Sequence, residues 1–379
     1  MKRTPLFAAH QRLGGKLIEF GGWEMPVHYS SITDEHLAVR HAAGLFDISH
    51  MGEVWIDGPQ AEAFLNQVLT NDLRKLAPGH GQYTLMCNEQ GGVIDDLYAY
   101  RLGPAEYLLI INASRIPNDV AWLQEQLSRL GPRAGVRLQD ASEATGALAV
   151  QGPRVAAFIN AGFPGPLTGG AAVGLPTELK KNQVARTQFA GRQVWVSRTG
   201  YTGEDGFEIV APGEVIEAVW NRLLELGRPH GLKPAGLGAR DTLRTEACYP
   251  LYGHELDEAT TPLEAGLGFF VALTKGEFIG RPALAEQKLK GVSRKLVAFK
   301  MAGKSPPPRP GYAIWSQGAV AEKIGEVASG TQSPSLGIGL GMACLPAQFA
   351  QPQTPLGIEI RGQRAAALVV PKPFYRKPD

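Results

Sequence analysis

The sequence predicts an α+β protein, and three observations carry the prediction. A strand, a helix, several strands and a second helix follow one another up to about residue 140, and the same order begins again at Thr145. The strands within each pass are separated by short turns, so they should pair as antiparallel meanders with helices laid on one side. From about Val292 the pattern changes to strands alone, which implies a separate small barrel or sandwich.

Ahead of the first pass, Thr33 or Asp34 can cap a helix with Leu37, Ala38 and Ala42 at helical spacing, and Gly44 can end it. A strand over 54–56 precedes a helix over 59–69, where Phe64, Leu65, Val68 and Leu69 share a stripe. Strands over 82–87, 93–101 and 107–112 follow, then a helix capped by Ser114 or Asn118 with Val120, Leu123, Leu127 and Leu130 in period, then a strand over 136–138. The second pass runs through the strand TGALAVQG, a helix over 153–160 and a glycine- and proline-rich loop over 162–176. Strands over 184–189, 193–197 and 207–210 then lead to an amphipathic helix over 214–226. A helix over 239–247, ended by Pro250, carries Arg240 in its opening turn, and residues 262–289 add a helical connector. The last strands read from KLVAFKM, GYAIW, KIGEVAS, SLGIGLGMAC, GIEIRG and AAALVVPKPFY.

Length and composition set limits on function. At about 150 residues per domain, 379 residues imply two or three domains. Lys and Arg (38) nearly cancel Asp and Glu (36), and a net charge of +2 gives no reason to expect a nucleic acid as the main ligand. Cys87, Cys248 and Cys344 lie far apart without a CxxC pair, which argues against a disulfide framework and against a zinc site, so no metal is expected. No signal-peptide core appears, and no stretch approaches the roughly 18 to 20 apolar residues of a membrane span. The expectation is a soluble, cytoplasmic protein with no membrane partner.

The chemistry concentrates in NEQGGVIDDLYAYRL, residues 88–102. On a regular strand Asp95 shares a face with Val93, Leu97 and Ala99, and Asp96 shares the other with Ile94, Tyr98 and Tyr100. Tyrosines beside a carboxylate suit a flat, polar, partly aromatic ligand. An Asp pair after a glycine turn also suits a solvated hairpin corner. In the second pass Glu208, after the turn RTGYTGEDG, holds a place comparable to Asp96, so two modules could bring two carboxylates to one centre. Arg240, preceded by glycines, can grip a carboxylate through two parallel hydrogen bonds or bridge to Asp241 or Glu246. Trp23, Met25 and Pro26 read as packing, and His28, His36, His41 and His50 lack metal-ligand spacing and read as structural or surface residues. Gly303-Lys304-Ser305 is no P-loop, because Ala298 stands where glycine is required. A paired-carboxylate hydrolase needs both acids on one face, which Asp95 and Asp96 do not offer.

Six strings in order, FDISHMGE, NEQGGVIDDL, SRTGYTGEDGFEI, AGLGARDTLRTEA, LYGHELDE and VPKPFY, span nearly the whole chain and closely resemble the aminomethyltransferase (T-protein) family of the glycine cleavage system. The resemblance implies a three-domain ring of two related antiparallel-sheet α+β domains and a C-terminal β-barrel. Its boundaries become a discontinuous domain over 1–50 and 140–250, a domain over 51–139, a helical connector over 251–290 and a barrel over 291–379. The implied reaction moves the methylene of an aminomethyl group, held on the lipoyl arm of an H-protein, to tetrahydrofolate, giving 5,10-methylenetetrahydrofolate and ammonia. Lipoylated H-protein is thus the implied partner and tetrahydrofolate the one-carbon acceptor substrate. In the family pattern the second Asp of GGVIDDL, here Asp96, is catalytic, while Glu208 and Arg240 match folate-binding positions, with Tyr83, Met51, Tyr100 and Asn112 in matching blocks. A non-catalytic folate-binding protein of the same fold is the alternative. An iron–sulfur-assembly relative carries a Lys-Gly-Cys motif, and here Glu277 follows Lys275-Gly276 instead.

Overall fold

The computed structural model describes residues 1–131, 135–318 and 321–377. They fall into two compact units, Met1–Thr84 with Asp96–Arg240, and Leu85–Asp95 with Asp241–Asp379. Among the described residues no helix is long and apolar enough to cross a membrane.

Two large sheets lie mostly in the first unit. One has the spatial order His80–Cys87, Val93–Gly103, Glu106–Ile111, Gly52–Asp57, Arg137–Asp140, the meander expected from the short turns. The other has the order Thr168–Gly170, Val184–Phe189, Arg192–Ser197, Gly206–Pro212, Thr145–Gln151, Ala43–Asp47, Leu232–Pro234. Its pairs are antiparallel except the last, where Leu232–Pro234 runs parallel to Ala43–Asp47. Residues from the N-terminal segment therefore complete the sheet of the second pass. The amphipathic helix Gly213–Gly227 buries Val215, Ile216, Val219, Trp220 and Leu223 in a core with Leu148, Val150, Phe207 and Ile209. Its apolar stripe is what the sheet's inward-facing positions require.

Local details depart from the sequence reading where side chains compete. The helix Ile32–His41 is capped by Ser31, whose hydroxyl accepts from the Asp34 amide at 3.1 Å, so neither Thr33 nor Asp34 is its cap. Gly44 does not end that helix but lies within Ala43–Asp47, where a Cβ would come within 2.4 Å of Val39 Cγ2. Glycine here serves close packing of helix on strand. The helix Ile116–Leu130 begins after Arg115 without a side-chain cap, so Ser114 and Asn118 do not perform that role. The helix expected over 153–160 is a 3-10 turn, Val155–Ala157, and a single turn, Ile159–Gly162. The sequence reading missed the helix Phe7–Arg12, the hairpin Lys16–Phe20 with Trp23–His28, and the three-residue strands Thr168–Gly170 and Leu232–Pro234.

In the second unit a seven-stranded sheet has the order Lys323–Glu326, Ala313–Ser316, Pro355–Ile360, Gln363–Val370, Arg294–Met301, Gly339–Pro346, Ser329–Gln332. Its strands pair antiparallel over a core that includes Phe299, Ile314, Leu345, Leu356 and Ile358. A Cβ at Gly325 on one edge strand would come within 2.8 Å of Leu345 near the opposite edge. The sheet is thus curled into a half-barrel. Ser329–Gln332 escaped the sequence reading because SGTQ has little apolar alternation.

Candidate active site

The strand Val93–Gly103 supplies the first carboxylate. Asp95 is fully buried, whereas Asp96 is half-buried on the opposite face, as alternation requires. Tyr98 pairs with Ile110 on the neighbouring strand, so Asn112, two residues further on, arrives beside Asp96. Its Nδ2 donates to Asp96 Oδ1 at 3.0 Å and to the Asp96 carbonyl at 2.9 Å. The Tyr83 hydroxyl donates to Asp96 Oδ2 at 2.9 Å. Each carboxylate oxygen therefore receives a donor, an arrangement that fixes an acceptor-only anion in orientation. Tyr83 and Asn112 thus hold Asp96 itself.

Further along the same face, the rings of Tyr98 and Tyr100 meet at 4.8 Å between centroids, tilted by 41°. Gly81 on the adjacent strand makes room for them: a Cβ there would lie 2.5 Å from Tyr100 Cδ1 and 2.6 Å from Tyr98 Cε1. Tyr100, Leu102 and Leu108 pack against Val184 and Trp195 of the other sheet, so the tyrosine face lies between the two sheets of the first unit.

Glu208 comes from that second sheet, on Gly206–Pro212, paired with Ser197 on one side and Ala149 on the other. Thr199 Oγ1 donates to Glu208 Oε2 at 2.7 Å and lies 2.9 Å from the Tyr100 hydroxyl. Tyr100 also reaches Ser197 Oγ at 3.1 Å. The three hydroxyls of Tyr100, Ser197 and Thr199 form one cluster, which meets the Glu208 carboxylate through Thr199. Burial pushes the Glu208 carboxyl above its ordinary range, while the Thr199 bond and the charge of Arg240 pull it part of the way back. Tyr100 itself is 3 % exposed, so its hydroxyl stays within this cluster.

Arg240 lies in the first turn of the helix Leu237–Glu246, with its guanidinium 4.7 Å from the Tyr201 ring centroid. Burial, and then the positive charge of Arg240, push the buried His50 imidazole down to about 4. His50 Nδ1 has no hydrogen-bond partner, and the ring packs edge-on against Phe20 at 5.6 Å. Met51 comes just before the strand Gly52–Asp57, whose first residue pairs with Ile111 beside Asn112, and is half-buried. The seven sequence-predicted residues all lie in the first unit. Thr199, Ser197, Tyr201 and His50 escaped the sequence reading as site neighbours. Thr199 and Tyr201 stand inside the RTGYTGEDG string, but only the fold shows that this turn returns to Glu208. Among the described residues no cluster of His, Cys, Asp and Glu could hold a metal ion.

Residues 6–275 match the family model described as the GCVT N-terminal domain, and residues 294–376 match the glycine cleavage T-protein C-terminal barrel domain. The chain is 45% identical over 378 residues to an aminomethyltransferase of Alkaliphilus oremlandii, covering 100% of this chain and 98% of that protein. It is 46% identical to an aminomethyltransferase of Geobacillus kaustophilus, covering 100% and 99%. A crystal structure of glycine cleavage system aminomethyltransferase T from Bartonella henselae superposes with a TM-score of 0.89 at 34% identity, covering 99% of this chain and 98% of that one. With family models spanning both units and full-length relatives at this identity, the chain belongs to the aminomethyltransferase, or T-protein, family of the glycine cleavage system.

Proposed function

We propose that the protein transfers the methylene of an aminomethyl group, carried on the lipoyl arm of an H-protein, to tetrahydrofolate, releasing ammonia and leaving the dihydrolipoyl arm. The observation that carries this reading is the Asp96 carboxylate, clamped by Tyr83 and Asn112 on a tyrosine-bearing face that also adjoins Glu208. When the C–S bond of the aminomethyl group breaks, its electron pair goes to sulfur and positive charge develops on the carbon and nitrogen left behind. A fixed anion at Asp96 stabilises that charge without reorganising, and orients the folate nitrogen that attacks the carbon. Closure of the methylene bridge by the second folate nitrogen expels ammonia. The two N–H protons released by folate leave with the thiolate and with ammonia, and Asp96 is placed to accept one in passing. Glu208 and Arg240, with Tyr83, Met51, Tyr100 and Asn112, are the proposed folate-site set, in which Tyr83 and Asn112 act by holding Asp96. The three-domain division given above, with the H-protein as partner and the cytoplasm as compartment, goes with this reading.

The test is ammonia release from aminomethyl-lipoyl H-protein. Ammonia and free lipoyl thiol should form together only when tetrahydrofolate, the H-protein and this protein are all present. A protein that binds tetrahydrofolate and releases no ammonia would be a folate carrier, and the enzyme reading would fall.

A further inference from the structure

We infer that Tyr98 is a specificity-determining residue of this site, its ring face being the platform on which the flat pyrimidinone ring of the pterin stacks. The inference rests on the folate reading above and deepens it. Tyr98 lies on the Asp96 face, between Asp96 and Tyr100, and is half-buried. Its hydroxyl, however, is buried and without a hydrogen-bond partner. The surface that Tyr98 keeps open is therefore ring carbon. Nothing anchors the ring through its oxygen, so its position is set by packing alone, with Tyr100 at 4.8 Å and Gly81 beneath it. Both the Tyr98 and Tyr100 hydroxyls feel the Glu208 charge, which puts Glu208 at the hydroxyl end of the ring pair. A flat heterocycle lying on Tyr98 then has an acceptor carboxylate at one end and Asp96, about 7 Å away along the strand, at the other. An aliphatic side chain at this position offers contact area but no aromatic face.

The experiment is equilibrium binding of tetrahydrofolate to the full chain, to Tyr98→Phe and to Tyr98→Leu, with melting temperatures measured alongside. Tyr98→Phe keeps the platform and removes a hydroxyl that bonds to nothing, so its affinity should stay within about twofold of the parent. Tyr98→Leu should bind about tenfold more weakly. A folded Tyr98→Leu protein with unchanged affinity overturns the inference while leaving the folate reading intact. A parent chain that fails to bind tetrahydrofolate overturns both. Should Tyr98→Leu lose its fold, a structure of the unmodified chain with tetrahydrofolate decides: ring centroids within about 4.5 to 7 Å support the platform, and a pterin that does not touch Tyr98 removes it.

Discussion

Two adjacent aspartates acquire different roles from one step of strand alternation. Asp95 is fully buried, and Asp96 is half-open with a donor on each oxygen. Replacing Asp96 by Asn keeps the size and removes the charge, so the variant should fold and bind tetrahydrofolate while turnover falls by a factor on the order of 10² or more. Asp95→Asn is the control: its melting temperature should drop, and its turnover per folded molecule should stay near that of the parent. Near-normal turnover in Asp96→Asn would remove Asp96 from the chemistry. His50 gives a second residue-scale test, through pH. In the unfolded chain it takes up a proton below 6.5, but in the fold it does so only near 4. Between those values the unfolded state binds more protons, so the stability His50 contributes is present above 6.5 and is lost as pH falls. From pH 7 to pH 5 the loss amounts to about 2 kcal/mol. Urea unfolding at the two pH values should show that difference in the parent and a smaller one in His50→Gln.

At the scale of elements, the strand His80–Cys87 shows how a glycine shapes the site from a neighbouring strand. Alanine at position 81 would press on both tyrosine rings, with close approaches of 2.5 and 2.6 Å. Gly81→Ala should therefore destabilise the fold by about 1 to 3 kcal/mol and weaken tetrahydrofolate binding, measured by denaturant unfolding and by titration. Unchanged values of both would mean that the rings yield freely. The sequence reading reached the strands of this meander because their alternation is strong and their turns are short, and it separated Asp95 from Asp96 for the same reason. Gly81 stayed silent, since a glycine inside a strand announces close approach without naming the neighbour. The contact of Thr199 with Glu208 and Tyr100 was equally hidden, because it depends on a turn folding back across a sheet. Ser31, Thr33 and Asp34 all have capping side chains, and only the backbone path decides among them in favour of Ser31. The helix expected over 153–160 failed because packing under the sheet held the segment to single turns, overriding local propensity.

For the whole molecule, the confinement of the proposed site residues to the first unit makes a prediction that no single substitution can. Asp96, Tyr83, Asn112, Tyr100, Met51, Glu208 and Arg240 all belong to the first unit. A ligand that binds only the folded form of that unit stabilises it by an amount set by concentration over Kd, about 2.7 kcal/mol at a hundredfold excess. Amides that exchange through opening of the first unit, such as those of Val93–Gly103 beyond Asp96 and of Gly206–Pro212, should then slow by up to about a hundredfold with tetrahydrofolate present. Amides of Arg294–Met301, in the half-barrel sheet of the second unit, should slow less. Hydrogen exchange read by mass spectrometry with and without tetrahydrofolate measures both sets in one sample. Protection confined to the second unit would place the folate site there, and would separate Asp96 from the ligand whose chemistry it is proposed to support.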